Sequence, residues 1–454
     1  MKVSYKVRIK YFRTIFYDTI KIYRKCIKFI IKVIEENYDS IKDLKGKLQN
    51  TYIENLIHST KTNIAKYSDF DKEFYKFPSY LRRDAIASAL GIYKSYYSNY
   101  QNWLESDKKN KSPKLIYNHN EMPVLYKGNM YEQVSKNLVN IKLFYKNDWV
   151  WITVPLKRSD VKYIDKYNTW TMSNPSLEIK GKIWALRFAF EKDIKLKELP
   201  LEQQVVIGVD LNVKNTSAVC SAINIDGTVL NRKFINCGSE KDHLNKALQI
   251  KKSIQKKQTV PRLYNDEPVM YNYNSNKKYY RFIDYANKNY AIQIAKSIID
   301  FAIENNAYTI IFEHLDKKGK KHFLKEKLHY WNCKMVQKIT ASLAHKNGIH
   351  VNTVCAWGTS KFAFDGSGEI KRHNNNRSIC TFTTGKVYNA DLSASYNIAS
   401  RYFIKEIQKS QSNKNWLDKV AKVPSLSKRS TCTLSTLISL RKVLSEPSGL
   451  KVPA

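Results

Sequence analysis

Val205-Val206-Ile207-Gly208-Val209-Asp210-Leu211 is a run dominated by β-branched residues that ends by presenting one carboxylate. It is short, suited to pleated backbone and flanked by polar sequence, so it reads as a buried central strand and not as a helix. An ionised Asp at the end of such a strand needs a cation, hydrogen-bond donors or water, because burying an unpaired charge is costly. Taken singly, Asp210 reads as a turn or N-cap residue. What surrounds it in the chain changes that reading.

Downstream, Thr216 to Ile223 and Thr228 to Ile235 flank Asp226-Gly227, a strong hairpin signal, so three consecutive antiparallel strands are expected. A basic helical segment (Lys241 to Lys257), a Tyr/Asn-rich loop and a long helix (Tyr279 to Asn305) follow. Tyr308 to Phe312 is a second β-rich run, ending in Glu313. After a basic loop, Asp316 to Lys321, comes a helix with Trp331, Met335, Ile339 and Leu343 at four-residue spacing, and then a strand from His350 to Val354. Asp391 opens a helix running through Tyr402.

A three-strand meander, helix, strand, helix and strand describe a ribonuclease H-like α/β sheet. In that arrangement the first and fourth strands are parallel neighbours, which sets Asp210 beside Glu313, and the last helix brings Asp391 to the same edge. Singly, Glu313 reads as a surface charge and Asp391 as an N-cap. Three carboxylates converging on one edge repel unless divalent cations lie between them. Magnesium suits hard oxygen ligands, and two ions would serve in-line phosphodiester hydrolysis. Asp210, Glu313 and Asp391 are the candidate catalytic and metal-binding residues.

The first two hundred residues have a different texture. Lys2 to Phe12 alternates as a strand; from Phe16 the apolar period becomes helical, through Ile20, Tyr23, Ile27, Ile30 and Ile34. Further helices are expected over Thr51 to Lys66 and Ser79 to Leu104. Strands return as two hairpins, Asn140 to Tyr145 with Trp149 to Val154 around Asn147-Asp148, and Leu177 to Lys180 with Ile183 to Phe190 around Gly181-Lys182. This is a β module carrying a helical insertion. Beyond Gln408 the chain is rich in Ser, Lys and Thr and reads as a mobile basic tail, with a short helix near Leu434 to Leu444.

The 454 residues allow two to four domains, and 43% hydrophobic content fits a globular protein. Lys and Arg number 78 against 40 Asp and Glu, a formal net charge of +38, which points to a polyanionic partner and away from an ordinary metabolic enzyme. The 31 tyrosines suit base stacking, although most read as core residues. No apolar run approaches the roughly 20 residues that span a bilayer, and the N-terminus is unlike a signal peptide. The seven cysteines are scattered, odd in number and without a CxxC pair. They read as reduced thiols in a cytosol.

With these elements in place, Gly208 to Asn215, Ile310 to Leu315 and Asn389 to Ala399 resemble the three split RuvC motifs of TnpB transposon proteins and the related type V CRISPR effectors. Gly358-Thr359-Ser360-Lys361 is similar to the segment that precedes that family's zinc finger. Ser79 to Ala85 and Lys180 to Phe190 resemble its helical recognition lobe and β wedge. The resemblance implies a wedge over 1–12 and 125–198, β-barrel-like, with a helical recognition domain over 13–124. It implies a RuvC domain over 199–356 and 389–408, a finger-like insert over 357–388, and a basic tail over 409–454. It implies RNA-guided cleavage of double-stranded DNA, with guide RNA and Mg²⁺ as cofactors, in a prokaryotic cytosol. In such proteins base pairing reads sequence while the protein grips shape and charge.

The chain departs from the family at the finger. Ala363 and Gly366 stand where the first Cys pair belongs, and of the second only Cys380 remains, opposite Thr383. A structural zinc site takes four N or S ligands in most cases, so a zinc-free finger is expected, held by Phe362, Phe364, Ile379 and Phe382. Lys361, Lys371, Arg372 and Arg377 of the finger, with Arg82, Arg83 and Lys94 of the Ser79 to Leu104 helix, are the candidate nucleic-acid contacts; each also fits a solvated charged face. Two other functions remain open: a guided DNA-binding repressor without cleavage, and a guide-independent transposase on the same fold.

Overall fold

The computed structural model describes residues 1–10, 14–108, 110–181, 183–212, 217–259, 263–264, 267–268, 277–314 and 333–445. These form a mixed α/β protein of two compact units, Met1–Asp193 and Ile194–Ala454. No helix among the described residues is long and apolar enough to cross a membrane.

In the first unit β1 (Lys2–Arg8) is followed by α1 (Ile15–Ile41), α2 (Lys47–Ile57), α3 (Asp69–Glu73) and α4 (Ser79–Glu105). Then come β2 (Tyr131–Ser135), β3 (Leu138–Tyr145), β4 (Asp148–Pro155), α5 (Arg158–Ile164), β5 (Thr171–Met172), β6 (Ser176–Lys180) and β7 (Ile183–Glu191). The chain closes on itself where β1 pairs antiparallel with β7, from Lys2 opposite Glu191 to Arg8 opposite Ala185. The helices are thus inserted between strands of one module. Both expected hairpins form. The first turns one residue earlier than its sequence signal: Lys146 and Asn147 take positive φ (48° and 62°) and Tyr145 pairs with Asp148. Consecutive positive φ is the turn geometry that matches strand twist.

The helix expected over Thr51 to Lys66 stops at Ile57. His58 is extended, and the Asp71 carboxylate takes hydrogen bonds from the Ser59 amide and the His58 ring region (2.9 and 2.7 Å), offering the polar stretch an alternative to helical turns. Arg82 is also corrected. It is buried, and its guanidinium donates to Glu54 Oε1 (2.9 Å), joining α4 to α2. It is a core ion pair and not a surface contact. Arg83 shares Glu54 at 3.2 Å, and Lys94 donates to Gln49 at 2.6 Å.

The second unit contains β8 (Val206–Leu211), β9 (Ala218–Ile223), β10 (Val229–Ile235), α6 (Gly238–Thr259), a small β11–β12 pair (Leu263–Tyr264, Glu267–Pro268) and α7 (Lys277–Glu304). It continues with β13 (Thr309–His314), α8 (Cys333–Lys346), β14 (His350–Cys355), the short strands β15 (Lys371–Arg372), β16 (Ile379–Thr381) and β17 (Val387–Asn389), then α9 (Ala390–Ser410), α10 (Asn413–Lys422) and α11 (Leu434–Ser445). The main sheet runs β10-β9-β8-β13-β14. β8, β9 and β10 are antiparallel neighbours and β13 is parallel to β8, as the sequence predicted; β14 then pairs parallel with β13. Trp331 and the loop Asp316 to Lys321 lie outside the described residues.

Alternation sorts this sheet into two faces. Ile207, Val209, Ile310 and Phe312 join one core with Ile294, Ile298 and Val336 of α7 and α8. Val206 and Ile311 join the opposite core with Leu392, Tyr396 and Phe403 of α9. Gly208 lies between them in register. A Cβ there would meet the Ser395 carbonyl oxygen at 2.1 Å and Ala399 at 2.9 Å, so only glycine lets α9 approach β8 this closely.

The expected mobile tail is corrected as well. Leu434, Leu437 and Leu440 of α11 are buried against α9 and the sheet, and Val423 and Leu426 join them. The composition of this stretch is polar, but its apolar residues fall at helical spacing and find a face to cover.

Candidate active site

Parity decides the first step. Residues 206, 208 and 210 on β8 and 309, 311 and 313 on β13 share the face that α9 covers. The last paired residues of the two strands are Val209 and Phe312, so the next ones along are Asp210 and Glu313. The third carboxylate arrives with α9. Asn389 caps that helix, its side-chain oxygen accepting from the amides of Asp391 and Leu392 (3.1 and 2.9 Å). The capping role considered for Asp391 therefore belongs to Asn389, and the Asp391 carboxylate is left for other partners.

Asp210 and Asp391 are both buried. Burial, then the charges of Glu313 and Asp391, push the Asp210 carboxyl well above its ordinary range. Burial also raises Asp391, opposed by the Arg372 guanidinium and by hydrogen bonds from Asn212, Arg372 and Ser378. The Asn212 amide thus serves two of the carboxylates, donating to Asp210 Oδ2 at 3.3 Å. Glu313 accepts a short hydrogen bond from the Thr359 hydroxyl, and its backbone carbonyl accepts from Gln337 at 3.0 Å. Asp210 therefore feels the charge of the other two side chains named from the sequence. The three are not drawn into a cage: among the described residues no three His, Cys, Asp or Glu side chains are close enough to enclose an ion.

Arg372 lies against the third carboxylate. Its Nη1 lies 3.4 Å from Asp391 Oδ1 and donates to the Arg377 carbonyl at 2.8 Å. Arg372, a candidate nucleic-acid contact by sequence, is seated on a carboxylate of the site. Lys361 is paired with Glu369 at 2.5 Å, while Lys371 and Arg377 are exposed on the same hairpin.

The finger-like insert is a three-stranded sheet, β15-β16-β17. Its small core contains Ala363, Cys380, Phe382 and Ala390 with Phe364, Ile370 and Tyr388 against them. Phe364 and Phe382 take the place expected of them. Phe362 and Ile379 do not belong to this cluster, and the small Ala363 and Cys380 fill it instead. Cys380 Sγ faces the Tyr388 carbonyl at 3.4 Å, and His373 faces Thr381 at 3.0 Å.

Several supporting residues gave no sequence signal. Arg401, buried in α9, donates to the carbonyls of Cys355 (2.6 Å), Trp357 (2.9 Å), Ser430 (2.7 Å) and Cys432 (3.0 Å). Asn397 donates to the carbonyls of Thr359 (3.0 Å) and Phe362 (2.9 Å). Together they clamp the loop between β14 and the finger. A lone Arg or Asn inside an amphipathic helix carries no such message until the loop is folded against it.

The fold and site together define an α/β protein with a cluster of interacting carboxylates at one sheet edge. Over 233 residues, 48% of this chain and 74% of the relative, it is 26% identical to the TnpB-like protein aq_aa05 of Aquifex aeolicus (strain VF5). The resemblance to TnpB proteins is borne out by that match. Residues 3–145 match the Aq_aa04 family. Similar solved structures include a Cas12f1-sgRNA-target DNA complex (16% identity, 88% of this chain and 99% of that one, TM-score 0.31). Another is CasPhi-2 (Cas12j) bound to crRNA and phosphorothioate-DNA (10% identity, 89% and 91%, TM-score 0.46).

Proposed function

We propose that this chain is an RNA-guided DNA endonuclease whose second unit is a RuvC-type, ribonuclease H-like nuclease domain. Asp210, Glu313 and Asp391 are its catalytic carboxylates. The observation that carries this is a single one: Asp210 and Glu313 lie one step past the last pair of two adjacent parallel strands, and Asp391 opens the helix that covers them, so that Asp210 feels the charge of both. Crowding like charges beside buried Asp210 and Asp391 costs free energy, and functional sites are where such arrangements cluster. The match to a TnpB-like protein and the charge of +38 support a nucleic-acid substrate and a guide RNA. The first unit is assigned the wedge and helical recognition roles, with Arg83 and Lys94 on its α4.

The donor set fits magnesium. Among the described residues the Asn212 amide is the side chain that bonds to Asp210, and the carboxylate oxygens are hard ligands. Asp210, Glu313 and Asp391 would hold divalent ions, which would supply charge stabilisation for the oxygens of a phosphodiester under attack. The chain's own residues do the rest. Thr359 holds the Glu313 carboxylate in one orientation, Asn212 orients Asp210, and Asn389 fixes the start of α9. Arg372 offsets the negative charge of Asp391 until a cation or a phosphate draws it away. Asp210, with its raised proton affinity, must be deprotonated to act as a ligand, so cleavage is expected to fall as the medium is acidified.

The test is purification after expression with the native flanking locus, sequencing of any bound RNA, and incubation with DNA complementary to it in Mg²⁺. A discrete RNA and guide-dependent cleavage that Asp210→Ala abolishes are expected. Bound RNA with target binding and no cleavage would establish the repressor reading instead, and strand joining without RNA the transposase.

A further inference from the structure

Trp357 is the side chain that neither the fold nor the proposed chemistry has used. It is 73% exposed and makes no ring contact among the described residues. An exposed indole gives up burial that most tryptophans have. Its loop is tied down by several buried side chains. Arg401 holds the carbonyls of Cys355 and Trp357 itself, and Asn397 holds those of Thr359 and Phe362. Gly358 takes φ +79°, and a Cβ on it would meet the Ser430 carbonyl oxygen at 2.5 Å, so the backbone is seated against its neighbour with no room to spare. The buried Thr359 ties the same loop to Glu313 through its hydroxyl and to the Ala356 carbonyl at 3.0 Å.

A large aromatic ring is therefore held in solvent on a rigid support, two residues from the side chain that orients a site carboxylate. The partner such a ring suits is a flat, unstacked nucleobase: every base has a π-face, and a single-stranded polyanion is drawn to a chain of this charge. We propose that Trp357 stacks on a base of the single DNA strand entering the carboxylate site and so sets which phosphate lies over Asp210 and Glu313. The inference rests on the nuclease reading and adds to it the residue that registers the strand. Phe or Tyr would serve in part; an aliphatic or small residue would not.

The experiment uses the full chain with its bound RNA and single-stranded oligonucleotides carrying 2-aminopurine at successive positions. Binding is read in the Asp210→Ala background, where no cutting intervenes. One position should be quenched on binding, and Trp357→Ala should remove that quenching while Trp357→Phe keeps most of it. In the Asp210 protein, Trp357→Ala should lower kcat/KM for single-stranded DNA by roughly 5- to 150-fold, the range that loss of one base–aromatic stack implies, and spread the cut over neighbouring phosphates. Melting should be unchanged by either substitution, since the ring is exposed. Unaltered quenching together with an unaltered rate and cut position in Trp357→Ala would overturn the proposal. Absence of cleavage in every form, with Trp357-dependent quenching intact, would instead refute the nuclease reading and leave the stacking contact standing.

Discussion

Replacing Asp210 by Asn should make the ion-free protein more stable while destroying its activity. The Asp210 carboxyl is buried and faces the charges of Glu313 and Asp391, and both effects raise it above its ordinary 3.8. The folded protein consequently binds this proton more tightly than the unfolded chain does. The stability so gained is complete below pH 3.8 and is lost as pH climbs through the raised value. By neutral pH that elevation is a cost to the folded state. Asn is nearly isosteric, keeps an oxygen for the Asn212 amide, and carries no charge. At pH 7.5 without metal the Asn variant should therefore melt above the wild type. The assay is thermal unfolding with EDTA at pH 4 and pH 7.5, then with Mg²⁺. The gain should appear at pH 7.5, shrink at pH 4, and narrow when Mg²⁺ is added, because ligand binding to the intact carboxylates stabilises the wild type alone. An Asn variant no more stable than wild type at pH 7.5 without metal, or a gain equal at both pH values, would refute the account of a charge held at a cost.

Arg372→Gln removes the guanidinium seated on Asp391; Mg²⁺-induced stabilisation should then set in at lower metal concentration, as read by melting against a Mg²⁺ titration. Gly208→Ala should destabilise the second unit by several kcal/mol or prevent its folding, since its Cβ would strike the α9 backbone; urea unfolding measures this. Arg82→Ala leaves Glu54 half-paired beneath α4 and should cost about 3–5 kcal/mol, whereas Arg82→Met should recover part of it; equal RNA affinity in the Met variant would confirm that Arg82 is not a nucleic-acid contact. Truncation after residue 408 removes the buried Leu434, Leu437 and Leu440 and should yield insoluble or loosely packed protein, judged by expression and melting.

How much of this could be read beforehand depended on the range of the forces involved. The alternation of Val205 to Leu211, the Asp226-Gly227 turn and the four-residue spacing along α7 are local patterns, and local backbone preference decides them. They were enough to place five strands in order and to put acidic residues at the ends of two of them. The motif around Asp391 was legible for the same reason, though Asn389, and not Asp391, proved to be the cap. Arg82 looked like its neighbour Arg83 because charge alone does not tell which of two adjacent arginines turns inward; the Glu54 side chain on another helix does. The last stretch looked mobile because composition averages over residues, and only the α9 face shows that Leu434, Leu437 and Leu440 have somewhere to pack.

The amino-acid sequence by itself determined most of the strands and helices and singled out three candidate carboxylates, because periodicity and turn chemistry act within a few residues. Tertiary structure alone decided that Arg372 rests on Asp391, that Thr359 and Arg401 brace the loop beside Glu313, and that Trp357 is left in solvent. Those contacts join segments tens of residues apart, and their energies exist only once α9 has closed over Gly208 and brought the two sides together.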